Sequence, residues 1–256
     1  MNAHLRALCL IAIGTTVLVS TDGSAQWLNY PTPGIPRTAD GRPDLSGATP
    51  RTADGKPDLS GVWNPWGVGG SSALTRGAVF QPWAEELSRE RIANNLKDSP
   101  DARCLPQGMP KMIAGPLPLK VVQTRGLIVI LYEEQDSFRQ IFLDGRPLPH
   151  DPQPTWRGYS TAHWEDDDLV VETIGLNGKA WLDSRGHPLT EALRVTERYA
   201  RRDFGHLTVQ VTFEDRNALE RPWTSPKMEY TLMPDTDILE RVCLENEKDV
   251  VHLVGK

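Results

Sequence analysis

The stretch Leu193–Asp215, "LRVTERYARRDFGHLTVQVTFED", decides the fold. Leu193, Val195 and Tyr199 recur at every second position, with Arg194, Thr196 and Arg198 between them. After the turn signal at Asp203–Gly205 the alternation restarts, with Leu207, Val209, Val211 and Phe213 set against His206, Thr208, Gln210 and Thr212. A period of two places successive side chains on opposite faces of a strand. Two such runs joined by a short polar turn read as a β-hairpin.

One residue breaks the pattern. Glu197 falls on the apolar face of its strand, where an unpaired carboxylate is costly to bury. It must be paired, protonated or set beside cavity water. Two readings stay open: an ion pair with an inward arginine, for which Arg139 in "SFRQIF" is the candidate, or a general acid or base whose pKa is raised by desolvation. Glu172 in "LVVETIG" is the weaker parallel, because both faces of its strand are half apolar.

The same period extends outward. "KVVQT", "LIVILYEE", "SFRQIFL", "GYSTAHWE", "LVVETIGL", "KMEYTLM" and "ILERVCLEN" alternate between turn signals at "DGRPLP", "EDDD" and "MPDTD". About nine strands without intervening helices predict a mainly β chain folded as an antiparallel barrel or sandwich, and the barrel is the preferred form, a closure that removes edges and often leaves a ligand cavity. One helix is expected near 82–97, with Pro82 in its first turn, Glu85 and Glu86 at its positive end, and Pro100 beyond its stop.

Three segments follow. Residues 1–25 have the layout of a signal peptide: Arg6, an apolar run, then Gly23 and Ala25 before a cut. Residues 26–60 form an arm rich in Pro, Gly, Thr and Asp, in which "PRTADGRPDLSG" (36–47) is repeated as "PRTADGKPDLSG" (50–61). Two copies with one leucine each are too few for a solenoid, so the first reads as a duplicated leader and the arm as linker-like. Residues 61–256 form a single barrel domain. Such a chain would be secreted or periplasmic, with no stable membrane insertion after signal cleavage. In that oxidising setting Cys104 and Cys243 are expected to pair, closing a loop of roughly 140 residues. A net charge of −6 without a basic face argues against nucleic-acid binding.

Chemistry-bearing groups are densest in residues 149–169, which hold His150, Trp156, Tyr159, His163, Trp164 and Glu165. Tyr159, Thr161, His163 and Glu165 share one strand face, which is either a wall able to bind a polar group and move a proton or an outward polar face backed by Trp164, Ala162 and Ser160. His187 and His206 read as isolated. The spacing of ligand-type residues supports no metal centre, and no nucleotide or cofactor fingerprint is present. Eight tryptophans read mainly as core plugs, with some able to stack on a ligand.

Taken jointly, "GKPDLSGVW", "RCLPQGMP", "IFLDGRPLP", "PTWRGYS", "LVVET", "WLD", "ALRVTERY" and "LERVCLEN" resemble a family of secreted bacterial proteins of uncharacterised function, over roughly Asp54–Asn246. The resemblance implies membership and brings no activity. This chain reads "STAHWEDDD" where that family has an Arg before the Trp and a Gly in the acidic turn, so His163 is not carried over as a shared catalytic group. "DLSGVW" is similar to the opening of lipocalin-type barrels, which implies that Trp63 closes one barrel end. A late arginine such as Arg241 would then lie across its ring.

These readings converge on an exported barrel that binds a small organic ligand without a cofactor. As an acid–base enzyme of lyase, hydratase or isomerase type it would use Glu197 as acid or base and His163 or Tyr159 as its proton partner. Arg139 would clamp an anion, and Glu172, Trp156 and Trp164 would line the ligand space. A non-catalytic carrier and an envelope scaffold are the alternatives, and the oligomeric state is left open.

Overall fold

The computed structural model describes residues 31–65 and 70–243. The expected signal peptide at 1–25 and Tyr30 of the arm lie outside the described residues. The strands are β1 (Gly61–Asn64), β2 (Leu119–Gln123), β3 (Leu127–Tyr132), β4 (Ser137–Phe142), β5 (Tyr159–Glu165), β6 (Asp168–Ile174), β7 (Arg194–Arg201), β8 (His206–Glu214), β9 (Trp223–Thr224) and β10 (Met228–Leu232). Neighbours pair in chain order from β1 to β8, and β10 joins β8 to β1. Met228 opposes Val209 and Trp63 opposes Leu232, so nine strands close a barrel. β9 pairs only with the far end of β8, opposite Thr212 and Phe213.

One pairing departs from the antiparallel expectation. β4 and β5 run parallel, with Ile141 beside Ser160 and Phe142 beside Thr161. A parallel pair needs a crossover rather than a hairpin. The connection from Leu143 to Gly158 supplies one, and its Pro147, Pro149, Pro152 and Pro154 keep it extended and out of the ladder.

The expected inward faces fill the interior. Trp63, Val171, Val195, Val209, Val211 and Phe213 are all 0 % exposed, and each large apolar side chain so buried contributes about 1.5–3 kcal/mol relative to its exposed state. The helix α1 spans Pro82–Ala93, shorter than the sequence suggests, because Asn95 and Leu96 turn into the left-handed region, both at φ 55°. α1 buries Ala84 and Ser88.

From Pro31 onward the described arm is not a linker. Each repeat folds into the same small hairpin, bridged between Arg37 and Pro43 in the first copy and between Arg51 and Pro57 in the second. Thr38 N–H donates to the Arg42 carbonyl at 2.8 Å, as Thr52 N–H does to Lys56 at 2.9 Å. Gly41 and Gly55 occupy the turn position that needs positive φ, 82° and 81°. Both copies dock on the barrel. Arg37 reaches Asp235 at 2.6 Å, and Arg51 makes a two-point contact with Asp167 at 2.9 and 2.6 Å. The linker reading fails because polar composition alone does not reveal that these turns satisfy backbone groups on the barrel. Cys104 and Cys243 form a disulfide with a Cα–Cα separation of 5.7 Å.

Candidate functional site

Alternation along β7 points Glu197 into the barrel, where it is 0 % exposed. Alternation along β4 points Arg139 at it. Nη1 of Arg139 donates to Oε1 at 2.8 Å and Nη2 donates to Oε2. β5 and β6, which lie between these strands, add Ser160 and Thr173. Arg139 donates to Ser160 Oγ from Nε at 3.2 Å and to Thr173 Oγ1 from Nη2 at 2.7 Å. The Tyr199 hydroxyl donates to Glu197 Oε1 at 2.6 Å. Burial alone would lower the Arg139 pKa, and the adjacent Glu197 carboxylate more than offsets this and raises it. Of the two readings open for Glu197, the geometry is that of the ion pair: Arg139 clamps a carboxylate of its own chain.

The proposed proton partners stand elsewhere. Ser160 and Ala162 are the buried inner face of β5, so Tyr159 and His163 fall on its outer face. Tyr159 accepts from Arg146 Nη1 at 3.2 Å and stacks on Phe142 at 5.1 Å. His163 is exposed, with Nε2 3.3 Å from Glu165. The sheet therefore separates both from Glu197, and the acid–base trio is not assembled. Glu172 is also outward, 3.4 Å from Arg194. Trp156 and Trp164 are half-buried against the core. These positions follow from the same period of two that predicted Glu197 to be inward.

The arm builds a different site. A cleft of about 500 Å³ lies between the first arm residues, the barrel wall and the segment after β10. Ile35, Pro50, Val62, Phe204, Leu232 and Met233 give it apolar walls, while Arg201, Lys120, Asp58 and Asp237 supply polar groups. Lys120 is paired with Asp237 at 2.6 Å. Arg201, at the end of β7, is 7 % exposed and is held by carbonyls alone. It donates to Asp203 at 3.3 Å, to Ser60 at 3.4 Å, and to Asp58 and Phe204. Its guanidinium lies over the Trp63 ring, 4.9 Å from the centroid. Burial lowers its pKa to about 10, with Asp58 and Asp203 offsetting only part of that. Among the described residues no carboxylate forms an ion pair with it, so its positive charge is available to the cleft.

Arg201 is the residue the sequence reading missed. The apolar face of Leu193, Val195, Glu197 and Tyr199 continues to Arg201 at the same period, which was the available signal. The Trp63 ring is indeed crossed by an arginine, but not by Arg241, which pairs with Glu134. Comparison of the chain with protein-family models, curated proteins and solved structures finds no match.

Proposed function

We propose that the chain is an exported β-barrel that binds a small organic molecule, with an apolar body and an anionic head, in the cleft beneath the arm. The observation that carries this reading is the pairing of apolar walls with one buried guanidinium that forms no ion pair with a carboxylate among the described residues, the arrangement a binding site uses to orient a mostly apolar ligand. The Cys104–Cys243 disulfide supports export, because such bonds persist in oxidising compartments. One of the eight motifs that jointly carry the resemblance to secreted bacterial proteins, Gly55–Trp63, lies in the second hairpin and the start of β1, at this cleft. Binding is favoured over turnover at Glu197, whose two oxygens are already occupied by Arg139 and Tyr199.

The test uses anilinonaphthalene sulfonate, which joins fused apolar rings to one sulfonate. The folded chain should enhance its fluorescence saturably, at one dye per chain. Met233→Trp, which fills the cleft, should abolish the enhancement while leaving the far- and near-UV circular dichroism unchanged. Absence of saturation, or full binding by the filled variant, would overturn the reading.

A further inference from the structure

A second cleft, of about 440 Å³, is lined by Thr75, Arg76, Phe80, Glu85, Arg185 and His187. Its floor is built around one carboxylate. The chain from Trp181 to Pro188 is a tight hairpin, bridged at those two residues, and Asp183 stabilises it from within. Asp183 is 0 % exposed. Its Oδ1 accepts from the backbone N–H groups of Arg185 at 2.9 Å and His187 at 3.2 Å. Its Oδ2 accepts from the Thr75 hydroxyl and faces His187 Nδ1 at 2.7 Å. Burial would raise the Asp183 pKa, but the hydrogen bonds from His187 and Thr75 more than offset it and hold the group below the usual carboxylate range.

That fixed anion sets the imidazole. Nδ1–H donates to Asp183, the ring stacks on Phe80 at 3.8 Å, and Nε2 is left facing the cleft and Glu85 Oε2 at 3.3 Å. A buried carboxylate–histidine pair that orients one ring nitrogen toward a cavity is more than α1 needs for docking. α1 is already attached by Ser88 to the Arg185 carbonyl at 2.9 Å and by Arg91 to the Gly186 carbonyl at 2.6 Å. Above this floor stand Arg76 and Arg185, both exposed, and no carboxylate among the described residues forms an ion pair with either guanidinium. Two carboxylates stand nearby, Glu85 in the lining and Asp183 in the floor, but Asp183 is fully engaged by His187, Thr75 and two backbone amides, so both guanidiniums are free to turn to an anion in the cleft.

We infer that this cleft is a binding site for a small oxyanion, a carboxylate or a phosphate group, held by Arg76 and Arg185 against the His187 edge. It is separate from the arm-covered cleft and does not depend on what binds there. The His187–Asp183 pair is its positioning element.

The test is a titration of the isotope-labelled chain with inorganic phosphate and, separately, with acetate, followed by nuclear magnetic resonance. Saturable shifts are expected at the amides of Thr75, Arg76 and Arg185 and at the His187 ring. In the Arg76→Ser/Arg185→Ser variant, which alters only exposed side chains, the half-saturating concentration should rise on the order of tenfold or more. Tighter saturation by phosphate identifies a phosphate-bearing ligand, and saturation by acetate at equal or lower concentration identifies a carboxylate. The inference is overturned if neither anion saturates, or if the double variant binds as well as the parent.

Discussion

Arg139 on β4 and Glu197 on β7 meet inside the barrel through two contacts, with 2 % and 0 % of their surfaces exposed. The strands that carry them are not neighbours. β5 and β6 lie between, and each contributes a hydroxyl, Ser160 and Thr173, to the same guanidinium. Four strands are thus tied by one polar cluster in an otherwise apolar interior. Because every side chain in it depends on its strand facing the right way, a one-residue slip in any of the four would bury a charge without its partner.

Glu197→Gln should therefore destabilise the fold by about 3–5 kcal/mol, since it leaves the Arg139 guanidinium buried without its counter-charge. Replacing both partners, as Arg139→Met with Glu197→Leu, should cost much less than the sum of the single changes. Urea unfolding of the parent, both single variants and the double variant closes the cycle. A loss under about 1 kcal/mol for Glu197→Gln would show that the pair is not what holds these strands in register.

High pH should unfold the chain through its buried phenols. Burial pushes the Tyr132 hydroxyl up to about 12 and raises those of Tyr199 and Tyr230 well above the ordinary tyrosine value. The folded state then prefers the neutral phenol, so the stabilisation is fully present below about pH 10, the unfolded value, and is lost as pH rises toward 12. Phenolate absorbance should show a late group of tyrosines that titrates with loss of the near-UV signal. Normal titration of every tyrosine in the folded chain would contradict the burial that closes the lumen.

Reduction should weaken the chain without rearranging the barrel. Cys104 and Cys243 are separated by 139 residues, and in the chain-entropy account a loop of that size contributes about 4–5 kcal/mol. Cys104→Ser/Cys243→Ser should lower the urea midpoint and keep the parent's circular dichroism. An unchanged midpoint would mean that the link constrains little of the unfolded chain.

What the sequence exposed and what it concealed share one physical basis. Strand faces are legible because alternation is local: the period of two places Glu197 inward, but it leaves the ion pair with Arg139 and the acid–base role equally open. The β4–β5 crossover was not legible, since hairpin and crossover connections differ in length and proline content but leave the strand pattern unchanged. The arm's docking leaves only one leucine per repeat as an apolar signature, Leu45 and Leu59, because the rest of it is made by carbonyls and paired charges. His187 looked isolated because its partner Asp183 belongs to a local hairpin, where no strand or helix period organises the side chains.

The two arm hairpins have the same shape but not the same task. The second carries Leu59, 2 % exposed, into the core and hands two carbonyls to Arg201. The first lies over the β7–β8 turn, where Leu45 and Gly47 accept the amides of Gly205 and Phe204, each at 2.8 Å. Deleting residues 36–49 removes one repeat and leaves the second hairpin and the floor beneath it in place. The fold should survive with a loss of about 1–2 kcal/mol from those two backbone bonds. The sulfonate dye should bind more weakly, because Thr32–Ile35 would lose the Arg37–Asp235 tie and keep only the hydrogen bonds between Thr32 and Asp235 to hold it over the cleft. If the deletion changes neither the urea midpoint nor dye binding, the first repeat is a duplicated leader with no structural role. If it unfolds the chain, the hairpins are not independent and do not divide their tasks in this way.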